Sequence, residues 1–145
     1  LATLNKKWSN IMSSLDDAGK LVLRLTVGIL ILMHGVAKLL NGIGPIEGML
    51  VARGMPAFFA WGAYIGEVLA PLLLIIGIYT RAAAAIVALN MIAAIALAHS
   101  AQLFQLGKTG GWSLELQGMF LFGALAIVLL GAGRYSVAGK TGVLN

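Results

Sequence analysis

Four long apolar runs set the plan of the chain, at Leu21 to Leu40, Phe58 to Tyr79, Ala82 to Leu103 and Leu114 to Leu130. Each approaches the roughly 20 residues that an α-helix needs to cross a bilayer core of about 30 Å. The polar punctuation between them predicts the connections. Tyr79-Thr80-Arg81 is a tight turn, so the second and third runs are antiparallel neighbours. From Asn41 to Ala57, four glycines and two prolines interrupt helix. Pro45 to Ala52 within that stretch nevertheless has the signature of a short helix, with proline in the first turn and Gly54 beyond the end. Gln105 to Trp112, with Gly107, Gly110 and Gly111, has the composition of a flexible turn.

Ahead of the first run, Leu4, Trp8, Ile11 and Leu15 recur at steps of four, three and four, which makes one apolar stripe on a helix. With Lys6, Lys7 and Asn10 on other faces, this segment is expected to lie at the membrane interface. Asp16 or Asp17 is placed to cap the helix that follows. The expected fold is therefore all-α: a four-helix transmembrane bundle with a short interfacial N-terminal helix. It divides into an interfacial helix or tail at 1–20, the bundle at 21–130 and a tail at 131–145. The run from Leu21 is too long for a secretory signal and lacks a convincing cleavage site, so it reads as a retained span.

Composition agrees with the pattern. Hydrophobic residues make up 60% and charged residues 10% of the 145, whereas soluble domains carry about 25% charged residues to solvate their surface. The net charge of +5 is scattered between apolar runs rather than gathered in a basic stripe, so the expected partner is the lipid bilayer and not nucleic acid. The absence of cysteine excludes disulfides, thiolate-held iron–sulfur clusters and thiol redox catalysis. Seven of the ten Lys and Arg fall on the side holding both tails and Arg81; Lys38, Arg53 and Lys108 fall on the other. By the positive-inside tendency, both termini are expected in the cytoplasm.

Ionisable groups within the spans are the candidate chemistry, because charge in the bilayer core costs several kcal/mol unless paired or hydrated. On the first span Arg24, Gly28, Ile31, Gly35 and Lys38 share one face, and His34 lies one turn before Lys38. On the second, Glu67 sits among Gly62, Gly66 and Ala70, with Tyr64 a turn earlier. Up-down topology brings His34, Lys38, Tyr64, Glu67, His99 and Glu115 to one depth, the half of the bundle away from the tails. Contact between Glu67 and His34 is feasible there. Bland alternatives exist: Lys38 and Arg24 could snorkel to headgroups, Glu115 could simply open the fourth helix, and Glu67 could belong to an ion pair that only fixes helix register. Two histidines on different spans, with nothing to make them face each other, give no ground for haem or a transition metal. Asn90 and His99 lie half a turn out of phase, so at most one of them need face the bundle centre. Pro71 is expected to bend the second span just beyond Glu67 and free a carbonyl there.

Taken in order, Arg24, Gly28, His34-Gly35-x-x-Lys38-Leu39, Gly54-Met55-Pro56, Glu67, Gly77-x-x-Thr80-Arg81, Gly110-Gly111 and Gly131-x-Gly133-Arg134-Tyr135-Ser136 resemble the DoxX family of small four-helix membrane proteins. The family is related to the membrane subunit of thiosulfate:quinone oxidoreductase, and the likeness runs from about Lys20 to Lys140. Ala138 stands where the family often has an acidic residue. The resemblance implies a bacterial-type inner-membrane location and a quinone-linked redox system, with a quinone as the candidate cofactor and a protein partner or homo-oligomer as the setting. The expected site has Glu67 as the proton-exchanging catalytic carboxyl, His34, Lys38, Tyr64 and Glu115 as ligand-binding groups, and Arg24 and Arg81 in structural roles. The competing classes are a non-catalytic scaffold of a larger complex and a pathway for protons or a small solute.

Overall fold

The computed structural model describes residues 2–145, with side chains from Leu4 onward; Leu1 lies outside them. Five helices form, and no strand occurs among the described residues. These are α1 (Ala2–Asn41), α2 (Gly44–Val51), α3 (Ala57–Ile76), α4 (Thr80–Ala98) and α5 (Glu115–Leu130). Helices α1, α3 and α4 are long and apolar enough to cross a membrane, and α5 is a shorter apolar helix. Together they make the expected helical bundle. Its core is Val27 and Ile31 of α1, Ala70 and Leu74 of α3, the small face Ala83, Ala84, Val87 and Ala88 of α4, and Phe120, Ala124 and Ile127 of α5. Small residues suit this setting: lipid tails are as apolar as the helix surfaces, so close packing takes over the role that water exclusion plays elsewhere. The predicted short helix is α2; its Leu50 and the preceding Ile43 are buried with Ala60 in a second, smaller cluster.

The first twenty residues do not form a separate element. They continue without a break into the first span as a single helix of 40 residues. Asp17 caps nothing; it is fully buried, accepts the Arg134 N–H at 3.2 Å and pairs with Lys140 at 2.7 Å. Asp16 pairs with Lys20 at 2.7 Å on the same helix. The second span ends at Ile76, where Gly77 turns left-handed (φ 80°) and the N–H groups of Gly77 and Ile78 close on Leu73 O. The turn is thus Gly77 to Tyr79, slightly earlier than expected. The third span stops at Ala98 rather than Leu103, because His99, Ser100 and Gln102 draw the chain into a 3-10 turn. There His99 Nδ1 and Gln102 Oε1 are hydrogen-bonded at 3.2 Å.

Residues 131–145 fold back across the base of the bundle. Arg24, 2% exposed, donates from Nη1 to Ala132 O and from Nη2 to Tyr135 O, each at 2.7 Å. Arg81 donates to Asn145 O at 3.1 Å and to Val128 O at 3.0 Å. The buried Asn145 accepts from Thr80 Oγ1 at 3.0 Å. Both arginines therefore satisfy carbonyls of the tail and the end of α5 instead of snorkelling to headgroups.

Candidate functional site

Helix α3 is not regular. It opens with a 3-10 turn at Ala57–Trp61, passes through a short α segment and widens into a π turn at Ile65–Leu69 before resuming as α-helix. The cause is local. Pro71 has no N–H to return to the carbonyl four residues earlier, that of Glu67, and the π turn absorbs the mismatch, with Ala70 N–H reaching Ile65 O. Such single-turn π segments concentrate at functional positions. The expected disruption next to Glu67 is thus a change of helical pitch that includes Glu67 itself.

Two glycines let neighbouring helices close on this turn. A Cβ at Gly35 of α1 would overlap the Glu67 carbonyl, and one at Gly66 would overlap the Asn90 side chain. Gly35→Ala should therefore cost about 1–3 kcal/mol through overpacking, read as a lower midpoint of thermal unfolding in detergent. Gly19→Ala, where a Cβ meets nothing, should instead raise that midpoint slightly, since alanine favours helix over glycine by about 0.5–1 kcal/mol.

With the helices at this spacing, Lys38 Nζ donates to Glu67 Oε2 as an ion pair. Asn90 Nδ2 of α4 donates to Glu67 Oε1 at 3.1 Å. Each carboxylate oxygen has one partner. Tyr64 supports the pair from behind, its hydroxyl donating to Lys38 O at 3.3 Å. The two ends of the ion pair differ in access: the Glu67 side chain is 8% exposed and that of Lys38 27%.

Two cavities meet at this pair. The smaller, about 150 Å³, lies between α1, α4 and α5, lined by His34, Met91, His99, Gln117 and Phe120, with Lys38 and Glu67 on its wall. The larger, about 780 Å³, opens between α2, α3 and α4; its walls include Met49, Leu50, Phe59, Ile86 and Leu97, and its polar end is Lys38, Glu67, Asn90 and His99. His34, exposed on α1, lines the smaller cavity with its ring edge-on to Phe120 at 5.9 Å. Lys38, one turn further along α1, holds the place beside Glu67 that His34 was expected to reach. His99 Nε2 lies 3.3 Å from Gln117 Nε2.

Glu115 stands apart. It is exposed in the first turn of α5, with its carboxylate against Gly111, and lines neither cavity. Arg24 and Arg81 are at the opposite end of the bundle, in the tail contacts already described. Asn90, expected only as an alternative to His99 at the bundle centre, joins the cluster as a partner of Glu67. It and His99 both reach the cavities, because His99 has left the helix whose phase separated them.

The fold and the buried polar pair define a multi-pass helical membrane protein in contact with lipid. A family model described as DoxX matches residues 19–100, which takes in α1 from Gly19 through the end of α4 and so Lys38, Glu67 and Asn90. The chain belongs to the DoxX family. No curated protein and no solved structure matches it.

Proposed function

We propose that the protein is a subunit or accessory of a quinone-linked redox system in a bacterial-type inner membrane, with both tails cytoplasmic and the Lys38–Glu67 site in the outer half of the bundle. The observation that carries this reading is the junction of a large apolar cavity with a part-buried, hydrogen-bonded ion pair whose carboxylate is almost wholly enclosed. Ligand sites are commonly of about 300–1,000 Å³, mostly apolar, with a few fixed polar groups that orient the bound molecule. A quinone, with an apolar ring and tail and two carbonyl oxygens, fits that description. It would bring two-electron, two-proton redox chemistry, its electrons exchanged with a partner protein. Lys38 Nζ and Asn90 Nδ2 are the donors available to a carbonyl oxygen. Glu67 is the group able to give up or take a proton, within hydrogen-bond reach of both donors. The helices α2 and α3 supply much of the apolar wall of the larger cavity, including Met49, Leu50 and Phe59.

Binding of a short-chain quinone to the purified protein, followed by quenching of tryptophan fluorescence, tests this. Glu67→Gln keeps the shape of the side chain but removes the charge that holds Lys38 Nζ and Asn90 Nδ2 at the end of the cavity, and with the charged donor no longer positioned it should weaken binding about 10-fold or more. No quinone effect on the protein, together with no change in Glu67→Gln, would sink the proposal. The second reading is a scaffold subunit, and it rests on the pairing of Lys38 with Glu67: the two charges satisfy each other and fix the register of α1 against α3 without any ligand. Stoichiometric copurifying proteins that are unchanged by Glu67→Gln would favour it.

A further inference from the structure

Helix α1 is twice as long as its membrane task requires. Its 40 residues extend about 60 Å at 1.5 Å per residue, against a hydrocarbon core of about 30 Å. The excess is at its N-terminal end, where every described side chain from Leu4 to Ser13 is exposed. The helix cannot simply bend over onto the membrane at the boundary. Residues 131–145 hold one face of it there: Tyr135 reaches Ser14 at 3.5 Å, Arg134 N–H and Lys140 bind Asp17, and Arg24 binds the carbonyls of Ala132 and Tyr135.

The opposite face carries a regular apolar pattern. Leu4, Trp8, Ile11, Leu15, Ala18 and Val22 follow steps of four and three, and the same alternation continues unbroken to Leu39 with no polar residue on it. The large side chains at Leu4, Trp8, Ile11, Leu15, Val22 and Leu39 are between 40% and 67% exposed. This is a strict seven-residue repeat, which drifts around a straight helix by about 20° per heptad and stays on one seam only when two helices supercoil. Lipid contact requires no such period, and an interfacial helix has no reason to keep phase with the span that follows it.

We propose that this face pairs with the same face of a second copy, α1 against α1, as a parallel two-stranded coiled coil that starts outside the membrane and runs into it. Two copies inserted with one topology are necessarily parallel. The interface is isologous, as closed dimers require. Charge is compatible: the seam residues are apolar, and Lys7 beside the seam faces Met12 of the second copy under parallel heptad pairing, so no like charges meet. Ile29 and Val36 of the same stripe are also 46% and 44% exposed, so the open apolar face runs the length of the helix, as an interface of about 800 Å² per partner requires. The inference is independent of the quinone proposal, because it uses none of the site residues.

The chain has no cysteine, so single cysteines report contacts without background. In the full-length protein reconstituted in vesicles, Trp8→Cys, Ile11→Cys and Leu15→Cys should cross-link to dimer with a short bismaleimide, at least tenfold more than Asn10→Cys and Ser13→Cys on the other faces. Ile11→Glu/Leu15→Glu should convert the detergent-purified protein from dimer to monomer in sedimentation, raising the dissociation constant at least tenfold with unchanged helix content. Equal cross-linking on all faces, or a wild-type monomer, overturns the proposal. So does a spin label at Leu15→Cys that contacts lipid in vesicles whatever the protein dilution, which would make the bilayer surface the occupant of this face.

Discussion

Lys38→Met should destabilise the protein by about 3 kcal/mol, the low end of the cost of leaving a buried charge without its partner, because the Lys38 end of the pair is partly open. Glu67 would then keep only the Asn90 amide, in a site where its side chain is 8% exposed. The same methionine combined with Glu67→Gln should cost clearly less, because the charge that made the single change expensive is gone. Unfolding midpoints of the four proteins in one detergent give the coupling directly as a double-mutant cycle. A double variant no more stable than Lys38→Met would show that the two side chains do not act as a pair. The quinone proposal and the scaffold alternative both need this coupling, so its absence would remove both.

Arg24→Met should release residues 131–145 from the base of the bundle. Hydrogen bonds from a charged donor are worth about 1.5–3 kcal/mol each, and Arg24 makes two, to Ala132 O and Tyr135 O, while almost wholly buried. The loss should therefore be about 3 kcal/mol or more, felt first in the tail. Limited trypsin digestion reads it: cleavage after Arg134 and Lys140 should accelerate at least tenfold in Arg24→Met, while Lys6→Met, on an exposed part of α1, should leave it unchanged. Unaltered cleavage would mean that Asp17, Arg81 and Asn145 hold the tail without Arg24.

Much of the site was legible because the bilayer punishes misplaced charge. Glu67 within an apolar run had to face inward, and the small face of the first span, with Gly28, Ile31 and Gly35, is buried against α3 and the core. The partner of Glu67 was not legible. His34 and Lys38 lie one turn apart on the same helix, and only the depth at which Gly35 meets the π turn selects Lys38. The choice between Asn90 and His99 was not legible for a related reason: their opposed phase holds only on one continuous helix, and the helix ends at Ala98, so both reach the larger cavity. Glu115 had the right depth but not the right direction, and depth is all that a topology argument supplies.

The first helix separates the two kinds of information in another way. Its apolar stripe from Leu4 to Leu15 was evident from spacing alone, yet its continuity with the span was not, because Asp16, Asp17 and Gly19 resemble a break. Asp17 and Lys20 instead lie against the returning tail, and that contact is made by residues more than a hundred positions away. The sequence by itself determined the apolar runs, their up-down order and the inward faces, since these follow from local periodicity and from the cost of charge and bare backbone in hydrocarbon. Only the tertiary structure decided which polar groups pair, how the tail anchors α1 and Arg81, and where the cavities open: such contacts depend on ångström-scale offsets between helices, set by Gly35, Gly66 and the pitch change at Pro71, and residue spacing along one chain does not encode them.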